Sequence, residues 1–127
     1  MTKAKYLGIW MDHSIAYIMG FSSNPIETKT IKSKFTHEER EISMVKGENR
    51  MHYKEQQLQA EFYKELGETI INYEEVVLFG PTTAKVELLN ILKEDHHFDK
   101  IKIEVTQTDK MTENQQHAFV KEYFSKN

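Results

Sequence analysis

The chain has 127 residues, of which 39% are hydrophobic and 29% are charged, and its formal net charge is -3. These values fit one folded domain, because the chain is too short for two ordinary domains and too apolar to be disordered, and its charge is unlike that of a general nucleic-acid coat. The absence of cysteine excludes disulfides, thiolate zinc sites and cysteine nucleophiles, and no run approaches the ~20 apolar residues of a membrane span, so we expect a cytoplasmic protein.

Three strands are predicted in the first part of the chain. Lys5 to Met11 and Ile15 to Phe21 are strand-like runs, and the polar residues from Asp12 to Ser14 suit a tight turn between them. They should form a hairpin in which the Asp12 side chain bonds its own backbone. The segment from Ile26 to Phe35 alternates and is rich in Thr and Ile, so it adds a third antiparallel strand. Its lysines indicate an exposed edge.

A polar loop and a long helix follow the third strand. From Thr36 to Tyr53 the sequence has no period typical of a helix or a strand, and Gly47-Glu48-Asn49 is typical of a loop tip. Polar loops of this size are often functional. From about Tyr53, apolar residues recur every four positions, which predicts an amphipathic helix that packs on the sheet. The stripe consists of Leu58, Phe62, Leu66 and Ile70, widened by Tyr63 and Ile71.

The second half of the chain alternates strands and helices. Glu75 to Phe79 is a continuous apolar run, typical of a strand that is buried on both faces. Pro81 suits the first turn of the next helix, and Lys100 to Thr106 alternates as a further strand. Thr112 and Gln115 have the spacing of a capping box that opens a last helix. The inward residues are predicted to be Val86, Leu88, Leu89 and Leu92 in the first of these helices, and Phe119, Val120, Tyr123 and Phe124 in the second.

The order of the elements predicts an α/β fold. Because parallel crossovers are right-handed, the fourth strand most simply returns beside the first. The result is a five-stranded mixed sheet in the order 3-2-1-4-5 with three flanking helices, which is the ribonuclease H-like three-layer arrangement. We see no repeat, linker or second domain, so we expect residues 1–127 to form a single domain.

Three segments suggest a family. They are LGIWMDHSIAYIMGF in the opening hairpin, VVLFGPTTAKVELLNIL across a strand, turn and helix, and KIKIEVTQTDKMTENQQ from the last strand into the last helix. In this order and spacing they resemble the middle domain of the archaeal and eukaryotic peptide chain release factor and of its relative Pelota, and the small bacterial proteins related to that domain. The resemblance implies the fold predicted above and a partner that is the ribosome or tRNA.

The resemblance also makes one motif decisive. The release factor domain carries a Gly-Gly-Gln loop just before its long helix, where it helps to position water against the peptidyl-tRNA ester. The equivalent place here reads MVKGENRMHYKEQQ, in which Gly47 is alone and is followed by Glu48, and no Gly-Gly-Gln occurs in the chain. A carboxylate facing an ester under attack disfavours the developing oxyanion. Pelota also lacks the tripeptide and does not cleave the ester, so the resemblance implies a non-catalytic factor of translation termination or rescue. We expect no cofactor and no metal.

The turn after the fourth strand has two interpretations. A strand, a glycine-containing loop and a helix N-terminus often bind phosphate, so Gly80, Thr82 and Thr83 are candidates to hold a phosphate of RNA with the help of Lys85. However, Pro81 removes one N–H donor, and a phosphate loop usually contains more glycine. We favour the interpretation of a structural turn.

Two other groups of residues point to enzymatic or metal chemistry. Asp12 and His13 are a candidate acid and base for a small hydrolase or nuclease, but no acidic trio accompanies them. A hairpin turn explains the pair more simply. His96 and His97 are adjacent, and adjacent rings rarely reach one metal, so we interpret them as a solvated connection.

The third strand and the following loop form a mildly basic candidate surface. Lysine neutralises phosphate without reading bases, so RNA binding here would be independent of sequence. Glutamates dilute the positive charge, and an ordinary solvated surface fits the pattern about as well. A protein-binding module that forms a homodimer through the sheet edge is a further alternative. The predicted phosphate contacts are Lys32, Lys34, Arg50 and Lys54.

Overall fold

The computed structural model describes residues 5–21, 28–33 and 48–125, and of residues 48–55 it describes only the backbone. The loop predicted between Thr36 and Tyr53 lies outside the described residues as far as position 47. In chain order the elements are β1 (Tyr6–Met11), β2 (Ile15–Gly20), β3 (Thr28–Lys32), α1 (Glu48–Ile70), β4 (Glu75–Gly80), α2 (Ala84–Lys93), a 3-10 turn (His96–Phe98), β5 (Lys102–Gln107) and α3 (Glu113–Ser125).

The five strands form one mixed sheet in the order β3-β2-β1-β4-β5, which confirms the predicted order. β1 pairs antiparallel with β2 and parallel with β4, so it occupies the centre. β3 continues the antiparallel side next to β2, and β5 continues the parallel side next to β4. The predicted α/β fold is therefore correct.

The helices cover both faces of the sheet and make three layers. Because side chains alternate along a strand, Leu7, Ile9 and Met11 of β1 pack in the core shared with α1 and α2. Trp10 lies in a second core with Val120 of α3. β4 contributes to both cores and is fully buried from Val76 to Gly80, as its continuous apolar run predicted. No helix of the described residues is long and apolar enough to cross a membrane.

Gly8 in the central strand determines how closely α3 approaches the sheet. A Cβ atom built on Gly8 would lie 2.3 Å from Cγ2 of Val120. A contact this short does not occur between real carbon atoms, so any larger residue at position 8 would displace α3. The second core therefore depends on glycine at this position.

Several predicted boundaries differ in the structure; β5, for example, begins at Lys102 rather than at Lys100. α1 begins at Glu48 rather than near Tyr53, so Glu48 and Asn49 are helical and do not form a loop tip. The first turns contain good helix formers but no apolar stripe, and a search for periodicity cannot detect them. β3 spans Thr28–Lys32, inside the predicted segment from Ile26 to Phe35, whose ends lie outside the described residues.

The structure also corrects the inward face of α2. Val86 is 43% exposed and does not belong to the core, whereas Lys85 is buried. Leu88 faces the core, and a residue two positions away points to the opposite side of a helix because each residue turns it by about 100°. Ile71 is likewise 40% exposed, since α1 ends at Ile70.

Candidate functional site

The turn after β4 lies where β1, β4 and β5 end at one edge of the sheet. Gly80 has a φ angle of +149°, and a Cβ atom there would lie 2.2 Å from the carbonyl oxygen of Met11. The carbonyl oxygen of Gly80 accepts a 3.1 Å hydrogen bond from the backbone N–H of Thr108. Glycine is therefore required by the close approach of neighbouring strands, independently of any ligand.

Lys85, the predicted phosphate-binding lysine, is buried beneath this turn and is only 2% exposed. Its Nζ donates one hydrogen bond to the carbonyl oxygen of Thr82 and one of 2.6 Å to Oε1 of Gln107. Gln107 in turn donates a 3.1 Å hydrogen bond to the carbonyl oxygen of Pro81. Burial lowers the pKa of Lys85. This geometry favours a structural turn, and phosphate binding by the turn stays a prediction.

The remaining threonines of the turn are also engaged. The hydroxyl of Thr82 accepts a 3.2 Å hydrogen bond from the backbone N–H of Ala84. The hydroxyl of Thr83 donates a 3.2 Å hydrogen bond to the carboxylate of Glu87. A phosphate at this turn would compete with the carboxylate of Glu87 for the hydroxyl of Thr83. The carboxylate is also negatively charged and would repel the phosphate.

Glu87 is the centre of a hydrogen-bonded cluster that joins three elements. Its Oε1 accepts a 2.7 Å hydrogen bond from the hydroxyl of Tyr63 on α1, and its Oε2 lies 3.1 Å from Nε2 of His13. Partial burial opposes ionisation, but the hydrogen bonds from Tyr63, His13 and Thr83 outweigh it and lower the pKa of Glu87. Burial, followed by the nearby carboxylate, raises the pKa of Tyr63.

The hairpin turn separates the two residues of the proposed acid and base pair. Oδ1 of Asp12 accepts hydrogen bonds from the backbone N–H groups of Ser14 at 2.7 Å and Ile15 at 2.9 Å. This confirms the predicted turn, in which an aspartate bonds its own backbone. His13 pairs with Glu87 instead of Asp12. The two side chains therefore do not form an acid and base pair with each other.

His96 and His97 are both exposed and lie against separate aspartates. Nδ1 of His96 is 3.2 Å from Asp99, and Nδ1 of His97 is 2.6 Å from Asp95. The backbone and side chain of His97, acting as donors, lower the pKa of Asp95. Within residues 5–21, 28–33 and 56–125, no three His, Asp or Glu side chains are grouped so that they could hold a metal ion.

The predicted RNA-binding surface is only partly described. Lys32 is exposed at the end of β3, the edge strand. Lys34 lies outside the described residues, and for Arg50 and Lys54 only the helical backbone of α1 is described. The glutamates of α1 lie beside the strand, since Lys32 lines a recess together with Glu61, Glu65 and Glu68. The positive charge of β3 is thus partly balanced by α1.

A cavity on the α3 face of the sheet was missed by the sequence reasoning. It has a volume of about 340 Å³ and is lined in part by Trp10, Tyr17, Thr30, Lys110 and Gln116. Trp10 and Gln116 are 6% and 3% exposed. Within the described part of the chain, neither Nε1 of Trp10 nor Oε1 of Gln116 has a hydrogen-bond partner. An unpaired buried polar group costs roughly 1–3 kcal/mol, so this cavity is a candidate binding site.

The orientation of the Gln116 amide follows from its neighbours. Nε2 of Gln116 donates a 3.1 Å hydrogen bond to the carbonyl oxygen of Met111, which needs a donor. The free atom is therefore the oxygen. One sequence signal pointed here: Gln116, Val120 and Phe124 are four residues apart and buried on one stripe of α3. A polar residue within an apolar stripe is unusual.

Comparisons with known proteins agree on the fold. No family model matches the chain, and no curated protein matches its sequence. Pelota from Archaeoglobus fulgidus superposes over 95% of this chain with a TM-score of 0.61 at 12% identity, and Pelota from Thermoplasma acidophilum over 92% with 0.58 at 14%. An archaeal translation termination factor superposes over 96% with 0.52 at 16%. The chain has the fold of a domain of these factors.

The likeness is confined to one part of each of these proteins. The chain spans 32% of the length of each Pelota chain and 39% of the termination factor chain. At such low identity the match establishes the fold, whereas function depends on the side chains of a site. The resemblance to the release factor and Pelota domain that the sequence suggested is confirmed at this level.

Proposed function

We propose that this domain is a non-catalytic factor associated with the ribosome or tRNA and related to translation termination or rescue. The observation that carries the proposal is the likeness to Pelota and to an archaeal translation termination factor over 92–96% of the chain. The absence of Gly-Gly-Gln from the sequence supports a role without hydrolysis of the peptidyl-tRNA ester. Such a factor acts in the cytoplasm.

Phosphate contacts are assigned to Lys32, Lys34, Arg50 and Lys54. Positions 50 and 54 lie one turn apart in α1, and residues spaced in this way share one side of a helix. Exposed lysine acts on phosphate as a point charge. Glutamates of α1 lie beside Lys32 and offset its charge, so binding would depend on individual lysine and arginine contacts to phosphate. Association should therefore be sensitive to salt.

Co-sedimentation with ribosomes from the same cells tests the proposal. The parent protein should pellet with ribosomes at low salt and be released at high salt. Changing Lys32, Lys34, Arg50 and Lys54 together to glutamate should abolish pelleting, and each lost contact should reduce the salt dependence by about one unit of slope. A control of equal charge change replaces four exposed lysines elsewhere, namely Lys5, Lys93, Lys100 and Lys121.

The control variant should pellet like the parent. If both quadruple variants lose association equally, only net charge matters and the assigned surface is wrong. If the first variant pellets like the parent at low salt, the RNA-binding role itself is refuted.

The absence of ester hydrolysis needs a separate assay. Purified protein added to ribosomes carrying labelled peptidyl-tRNA should release no peptide above the spontaneous rate. Release that disappears when Gly47 or Asn49 is changed would show that the chain is catalytic.

A homodimer formed through the sheet edge is the second candidate. The position of β3 at the edge favours it, because an edge strand has backbone groups free to pair with another strand. The exposed Lys29 and Lys32 oppose it, since two such edges would bring lysines together. Light scattering across a range of concentrations decides: a constant monomeric mass removes this candidate.

A further inference from the structure

The cavity bounded by Trp10, Tyr17, Thr30, Lys110 and Gln116, here called the α3-face cavity, is lined by two residues that each carry a buried polar atom without a hydrogen-bond partner among the described residues. Nε1 of Trp10 is a donor and Oε1 of Gln116 is an acceptor, and both belong to residues that line the cavity. Buried polar groups are normally paired. A ligand that completes this site therefore carries an acceptor and a donor of its own.

The lining residues and the volume of the cavity restrict the shape of the ligand that it can hold. Tyr17 is half-buried, and its ring lies 5.6 Å from that of Trp10 at an angle of 42°. Aromatic side chains of this kind stack on planar groups. A volume of about 340 Å³ is at the small end for ligand pockets. The cavity thus fits one planar heterocycle and is too small for several.

We infer that the α3-face cavity binds a single unpaired nucleobase of RNA. Every nucleobase has a flat face for stacking, and unpaired bases are commonly held by aromatic side chains and by hydrogen bonds to their edges. Lys110 at the lining supplies a cation for the phosphate attached to such a base, and Glu113, which also lines the cavity, partly offsets that charge. This inference rests on the proposed function, because an RNA partner supplies the base.

The cavity and the surface assigned to phosphate contacts share β3, which contributes Thr30 to the cavity and Lys32 to the phosphate contacts, but their other residues differ. Lys32 lines a recess with the glutamates of α1, whereas the α3-face cavity opens beside Met111 and Gln116 at the start of α3. The two surfaces can therefore be tested separately. Basic residues determine general affinity, and the cavity selects an unpaired base.

The chain has one tryptophan, which provides a direct probe. The single indole N–H signal in a nitrogen–proton correlation spectrum reports on Trp10 alone. Adding each of the four ribonucleoside monophosphates, or a short single-stranded RNA, should shift this signal and change the tryptophan fluorescence. Ribose 5-phosphate, which lacks a base, should do neither. If the two atoms are merely bridged by a water molecule, no added compound will shift the indole signal, and the inference is overturned.

A rim substitution with a matched control isolates the cavity. Thr30 is exposed and lines it, so Thr30→Glu should fold normally and weaken binding of the single-stranded RNA by about tenfold or more through repulsion and blocking. Asn90→Glu adds the same charge at an exposed position of α2 and should leave binding within about twofold of the parent. Equal effects of the two variants would overturn the assignment of the site.

The outcomes also separate this inference from the proposed function. If the protein pellets with ribosomes but none of the four nucleotides shifts the indole N–H signal of Trp10, the proposed function stands and the cavity inference fails. If mononucleotides bind but single-stranded RNA and ribosomes do not, RNA is not the source of the base, and both the inference and the proposed function are overturned.

Discussion

Lys85 donates a 2.6 Å hydrogen bond to Gln107 and so joins the first turn of α2 to the last residue of β5. The same Nζ bonds the carbonyl oxygen of Thr82, so one buried cation links the turn, the helix and the sheet. No carboxylate accepts a hydrogen bond from it among the described residues. The stabilising effect of Lys85 therefore depends on two neutral oxygen acceptors and on the packing of its carbon chain.

Replacing Lys85 by methionine should destabilise the fold modestly. The change keeps the length of the side chain but removes both hydrogen bonds, and we expect a loss of about 1 kcal/mol in the free energy of unfolding. Urea unfolding followed by circular dichroism measures it. Lys93→Met, at an exposed position of the same helix, should change stability by less than about 0.5 kcal/mol. A Lys85→Met protein more stable than the parent would show that the cost of burying the ammonium group outweighs its hydrogen bonds.

Gly8→Ala and Gly20→Ala form a matched pair on adjacent strands. A Cβ atom at position 8 would lie 2.3 Å from Val120, whereas one at position 20 would meet only the hydroxyl of Tyr73 at 3.6 Å. Overpacking of this kind costs about 1–3 kcal/mol, and we expect that loss for Gly8→Ala. Gly20→Ala should stay within about 0.5 kcal/mol of the parent. Equal stabilities of the Gly8→Ala and Gly20→Ala variants in urea unfolding would mean that α3 can move away from the sheet without loss of stability.

Glu87 should make stability depend on acid pH. Partial burial raises the pKa of Glu87, and the hydrogen bonds from Tyr63, His13 and Thr83 lower it. The lowering is the larger effect, so the pKa of Glu87 lies below its usual value. A carboxylate with a lowered folded pKa stabilises the protein above its unfolded pKa, and this contribution is lost as the pH falls through the folded value. The melting temperature of the parent should therefore decrease when the pH is lowered below about 4.5.

Glu87→Gln tests this pH dependence because it keeps the shape and removes the charge. At neutral pH the variant should be less stable, by about 1 kcal/mol, since the carboxylate is half-exposed and water weakens its hydrogen bonds. The difference in melting temperature between parent and variant should shrink as the pH is lowered below about 4.5. A difference that stays constant down to the acid transition would assign the effect to shape rather than charge.

Leu92 and Ile91 are neighbours on α2 with opposite environments. Leu92 is 3% exposed and belongs to the core beside α1, whereas Ile91 is 47% exposed. Leu92→Ala should cost about 2–5 kcal/mol by leaving a cavity, and Ile91→Ala less than about 1 kcal/mol. Thermal unfolding of the two variants measures the difference. Similar losses would indicate that the exposed face of α2 is covered in solution.

The sequence by itself determined the features that depend on neighbouring residues. The apolar period of α1, the continuous run of β4 and the turn at Asp12 were predictable because the interacting residues lie within a few positions of one another. The capping box is of the same kind, with reciprocal hydrogen bonds between Thr112 and Gln115 at 2.9 and 3.3 Å. The order of the strands followed from the handedness of crossovers.

The tertiary structure alone decided which polar side chains meet. Lys85 bonds Gln107 across 22 positions, and His13 meets Glu87 across 74. Periodicity predicts which side of a helix faces the core, but it does not predict which strand end will lie opposite a given residue. The cavity of Trp10 and Gln116 arises in the same way, because a central strand and the last helix are brought together only when the sheet is complete.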